Sequence, residues 1–87
     1  MTNPNGRVLQ LVAIVLTTLA EVPSAPAGVL YSGLMARYSL AEYMMSEAAM
    51  LREGLITKAY HVLTITDAGK ILAKSLTRAI MASQVPV

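Results

Sequence analysis

From position 8 to position 20 the chain is apolar almost without a break, and only Gln10, Thr17 and Thr18 interrupt it. On a helical wheel these three and Glu21 fall on one narrow stripe. The pattern predicts a helix over 7–21 that is apolar nearly all round and is stopped by Pro23. In a small helical domain only one side of such a helix faces the domain's own core. The opposite side, Val8, Val12 and Val15, is therefore the expected face of a subunit interface, with Leu76 and Ile80 of the last helix beside it.

Pro23, Ser24 and Pro26 read as a loop, with Ser24 the N-cap of a second helix over 26–36. Val29, Leu30 and Leu34 form its expected core face, Gly28 and Gly33 let a neighbour approach, and Arg37 and Tyr38 make the turn that follows. The third helix has the clearest start. Ser39-Leu40-Ala41-Glu42 is a capping box, and Tyr38 and Tyr43 stand at the two positions of a hydrophobic staple. Leu40, Met44, Ala48 and Leu51 recur at helical spacing as the expected buried face. That leaves Ala41, Glu42, Met45, Ser46, Ala49 and Met50 pointing outward. Gly54 ends the helix as a left-handed residue, with Leu55 folding back behind it.

Two short extended runs follow, at 55–58 and 60–65, with a turn around Lys58 and Ala59. Leu63 and Ile65 alternate with Val62 and Thr64, the period-2 mark of a half-buried strand. Thr66 or Asp67 caps a last helix, whose apolar face is Ala68, Ile71, Leu72, Leu76, Ala79 and Ile80. Lys70, Lys74 and Arg78 follow one another every four residues on another side and read as a solvated face. Residues 1–6 and 84–87 are expected to be tails around a single domain over 7–83.

Composition narrows the function. Of 87 residues, 55% are hydrophobic and 14% charged, which excludes a disordered chain and leaves more apolar surface than so small a core encloses. Some of it is expected to meet a partner. With no cysteine there is no thiol nucleophile, disulfide or cysteine–zinc site, and the chain fits a reducing, cytoplasmic setting. His61 is the only histidine and Asp67 the only aspartate, so neither a catalytic triad nor a metal site can be assembled, and no Gly-rich phosphate loop is present. The expectation is a non-enzyme without cofactor or metal. The apolar run over 8–20 is shorter than the roughly 20 residues of a spanning helix, so no membrane segment is expected. A signal peptide is the rival reading of that run, but its removal would strip the other helices of the one they pack on.

The stretches Leu51-Arg52-Glu53-Gly54-Leu55-Ile56 and Ile65-Thr66-Asp67-Ala68-Gly69-Lys70 resemble the corresponding parts of MarR-type and PadR-type transcriptional regulators. The resemblance implies a mainly α fold with a small β-hairpin: a winged helix-turn-helix with a three-helix core, a two-stranded wing and a C-terminal helix. It also implies a homodimeric, cytoplasmic protein that regulates transcription by binding double-stranded DNA, the third helix lying in the major groove. By position its DNA contacts would be Arg37, Ser39, Met45, Ser46, Ala49, Arg52, Lys58, Tyr60 and His61. The chain departs from the pattern in one respect. Recognition helices present Arg, Lys, Asn or Gln to base edges, whereas this one presents Met, Ala, Ser and Glu. The alternative is a winged helix used as a protein-interaction module, with the Met-rich face of the third helix as its contact.

Overall fold

The computed structural model describes residues 4–84. It is mainly helical, with a small three-stranded antiparallel sheet, an arrangement compatible with the layout expected from the sequence. In chain order the elements are α1 (Pro4–Glu21), β1 (Ser24–Pro26), α2 (Ala27–Ser32), α3 (Leu40–Arg52), β2 (Ile56–Ala59), β3 (Val62–Ile65) and α4 (Asp67–Gln84). The sheet order is β1-β3-β2. The first helix thus begins inside the expected N-terminal tail, with proline at its first position, where a missing N–H costs nothing. Residues 1–3 and 85–87 of the expected tails lie outside the described residues.

The core is built around α1. Leu11, Val15, Leu16 and Leu19 are 0–1% exposed. Val15, Leu16 and Leu19 cluster with Tyr43 and Met50 of α3, Ile56, Leu63 and Ile65 of the sheet, and Ala73 of α4. This corrects one residue of the expected subunit interface, Val15. Val15 belongs to the protein's own core, Val12 and Leu76 pack against it, and Val8 is half-buried. The side chain of Ile80 lies outside the description. The polar stripe of α1 marks its outer side, and the buried side is the one across the helix from that stripe. Apolar exposure on α1 occurs instead at Leu9 and Ile14.

Ser24, Ala25 and Pro26 form an edge strand rather than a loop and a cap, in register with Thr64, Leu63 and Val62. Pro26 has no N–H to give a ladder, which an edge strand tolerates. The second helix is accordingly short. Pro26 precedes it without a side-chain cap, and turns replace helix over 33–37. Leu30 and Leu34 pack on the core as expected, but Val29 is exposed.

β2 and β3 pair from Ile56↔Ile65 to Ala59↔Val62, so the turn is Tyr60-His61, two residues beyond the expected place. Both turn residues have positive φ, 52° and 65°. That is the two-residue turn whose twist matches a hairpin, made here without the usual Asn-Gly.

The junction of α3, β2 and α4 follows the sequence closely. Gly54 has φ 71°. The Leu55 amide donates to the Met50 carbonyl and the Gly54 amide to that of Leu51, the paired bonds of a Schellman cap. Thr66 then joins both ends. Its hydroxyl donates to the Gly54 carbonyl at 2.6 Å and accepts from the Gly69 amide at 3.1 Å, so it caps α4 while holding the end of α3. Among the described residues no helix is long and apolar enough to cross a membrane.

Candidate functional site: the third helix and the hairpin tip

The start of α3 is fixed by an interlocking set of bonds. Glu42 accepts from the Ser39 amide, and the Glu42 amide donates to the Ser39 hydroxyl, completing the capping box. Arg7 of α1 reaches the same carboxylate with two guanidinium nitrogens and donates a further bond to the Arg37 carbonyl. Its guanidinium also lies 4.9 Å from the centre of the Tyr38 ring. The bond from Arg7, then that from the Ser39 amide, hold the Glu42 carboxyl at a pKa of about 2, while the Arg7 pKa is raised by the same partner. Ser39 and Glu42 are therefore occupied in building the helix start.

Between its caps, α3 buries Tyr43, Ser46 and Met50. The expected orientation is corrected here. Leu40, Met44 and Leu51, expected in the core, are 54%, 58% and 39% exposed, and Ala48 is exposed as well. Ser46, expected to face a ligand, is fully buried and donates its hydroxyl to the Tyr43 carbonyl at 2.7 Å. Met50 is fully buried and Ala49 half-buried. Met45 is exposed at 55%, as expected.

The staple was the signal that gave this orientation. Tyr38 and Tyr43 are 8% and 3% exposed. A staple turns its second residue toward the chain that enters the helix, and with Tyr43 inside, Ser46 and Met50 follow at i+3 and i+7. Tyr43 packs against Tyr31 with the rings tilted by 49° and their centres 5.3 Å apart, and its phenol is pushed up to about 12 by burial and by the nearby Glu47.

The remaining expected contacts are scattered. Arg37 is exposed just before α3, and Arg52 is exposed in its last turn, 3.8 Å from the neighbouring Glu53. Lys58 is exposed, and its Nζ lies 3.3 Å from the Glu47 carboxylate of α3. This pair ties the hairpin stem to α3 and sets an acid against the stem's one cation. At the tip, Tyr60 is 98% exposed. His61 is exposed too, and its carbonyl accepts from the Ala27 amide at 2.8 Å.

The surface so assembled is an apolar face of Leu40, Ala41, Met44, Met45, Ala48 and Leu51, with Arg52 at its C-terminal end. A groove of about 300 Å³ separates α1 from α2 and is walled by side chains such as Ile14, Thr18, Val29 and Leu34, none of them titratable. Among the described residues no group of three or more His, Asp or Glu side chains is placed to hold a metal. Comparison with protein-family models, with curated proteins and with solved structures finds no match.

Proposed function

We propose that this chain is a non-catalytic binding module of winged-helix layout that docks onto another protein through the exposed face of α3. The observation that carries the proposal is the apolar character of that face: Leu40, Met44, Met45 and Leu51 are each 39–58% exposed. Fully burying one such side chain contributes about 1.5–3 kcal/mol, so covering four half-exposed ones offers on the order of 3–6 kcal/mol before the cost of association. Direct readout of DNA works through side chains of another kind. Each bidentate base contact contributes about 1–3 kcal/mol and needs Arg, Lys, Asn or Gln, of which this face holds only the terminal Arg52. Methionine and leucine fit an apolar protein surface far better than a row of base edges.

The test is co-purification of a partner on the intact chain, repeated with Met44→Glu and Leu51→Glu. Loss of the partner with an unchanged melting temperature supports docking through α3. Retention of the partner by both folded variants would remove this face from the proposal.

A second reading, a transcriptional regulator with α3 in the major groove of DNA, has its own supporting observation. Arg37 before α3 and Arg52 at its end are both exposed, as are Tyr60 and His61 at the hairpin tip. It calls for a mobility shift on mixed duplex DNA at low salt. No shift at about 100 µM folded protein, the weak end of non-specific binding, would sink it.

A further inference from the structure

The seven cations and five acids of this chain are not spread evenly. Among the described residues, Arg7 faces Glu42, Lys58 faces Glu47 and Arg52 faces Glu53. Glu21 and Asp67 remain, against Arg37, Lys70, Lys74 and Arg78. Three of those four cations lie on α4, so most of the chain's net charge is displayed by one helix.

Lys70, Lys74 and Arg78 are all exposed and recur every four residues, which sets them about 6 Å apart along the helix. The other side of α4, with Gly69, Leu72, Ala73 and Leu76, is packed inward, and Thr66 and Gly69 hold the N-terminus in place. A regularly spaced ladder of cations results, on a helix anchored by its inner side. A helix face that only needs water commonly mixes signs, since acid–base pairs at i, i+4 stabilise it slightly and like charges at that spacing destabilise it. Beyond its first turn, α4 carries cations alone. Its one acid, Asp67, stands in the first turn, where it serves the helix dipole.

We infer that the exposed face of α4 binds the phosphodiester backbone of a nucleic acid, independently of what α3 contacts. Charge complementarity with a regularly spaced polyanion is what the ladder offers. An anionic lipid surface fits less well. A helix lying in a membrane needs a continuous apolar face beside its cations, and on α4 the apolar residues Leu72, Ala73 and Leu76 are packed on the core. Among the described side chains, the large apolar ones that stand exposed near the cations are Ile71 and Met81, ten residues apart.

The test is fluorescence anisotropy of a labelled mixed-sequence duplex titrated with the full chain over about 50–200 mM salt. Three phosphate contacts give an expected slope of log K against log salt of about −2.7. Replacing Lys70, Lys74 and Arg78 together by Gln is expected to lower affinity at least tenfold with an unchanged melting temperature. Should that variant fail to fold, Lys74→Gln alone is expected to reduce the slope by about 1. Met44→Glu is expected to leave duplex binding intact, which separates this site from α3. Absence of duplex binding by the folded chain, equal binding by the folded triple variant, or binding lost with Met44→Glu alone would overturn the inference. So would retention on phosphatidylserine vesicles without duplex binding.

Discussion

Gly69 in the first turn of α4 lies directly against the backbone of Leu55, at the end of the α3 cap. A β-carbon at 69 would overlap the Leu55 carbonyl oxygen and stand 2.7 Å from Cγ1 of Ile65. The glycine is thus required by close approach between two backbones, and it explains why Thr66 can reach the Gly54 carbonyl while capping α4. Alanine is normally the better helix former by about 1 kcal/mol. Here Gly69→Ala is expected to destabilise the protein by about 1–3 kcal/mol through overpacking. Urea denaturation checks this. An unchanged or raised midpoint would mean that the α3–α4 junction is looser than described.

The orientation of α3 is testable by stability alone. Met50 is fully buried and Met44 is not. Met50→Ala is expected to cost about 2–5 kcal/mol and Met44→Ala at most about 0.5 kcal/mol. The reverse order would restore the orientation in which Leu40, Met44 and Leu51 form the core.

Both ends of α3 were legible in the sequence, because a capping box and a glycine cap are local chemistry. Its buried face was not, because Leu, Met and Ala occur on both sides and hydrophobic spacing alone fits either. The Tyr38–Tyr43 staple was the one asymmetric signal, and it points the right way. The first helix misled for a related reason. Its apolar surplus suggested an outer apolar side, whereas the few polar residues already marked the outside. β1 was hidden because Ser-Ala-Pro resembles a turn, and only pairing with β3, a contact distant in sequence, makes it a strand. The hairpin turn was misplaced because the tip uses Tyr-His where Asn-Gly is the usual signal.

That tip stores strain. Side chains other than Gly, Asn and Asp lose roughly 1–2 kcal/mol per residue in the left-handed region that Tyr60 and His61 occupy. Replacing the pair by Asn-Gly is expected to raise stability by about 1–3 kcal/mol, seen as a higher melting temperature. A lower melting temperature would show that the Tyr60 or His61 side chain stabilises the fold.

Acid should loosen the contact between α1 and α3. The folded protein holds the Glu42 carboxyl at about 2, below its ordinary 4.5, so the fold favours the charged form. Its contribution is complete above about pH 4.5 and disappears as pH falls toward about 2. Melting temperatures measured across that window should fall less steeply for Glu42→Gln than for the parent chain. Parallel curves would mean that Arg7 and Ser39 do not hold the carboxylate in solution.

The central claim is that the apolar face of α3 meets a protein. It is tested most directly by a photo-crosslinking residue placed at Met44 and irradiated in living cells that express the chain. The expected result is a discrete protein adduct, its mass separating a second copy from a different partner, that is absent when the crosslinker stands at Thr57 on the exposed side of β2. Crosslinks to DNA alone, or no adduct at Met44 from folded protein, would contradict it.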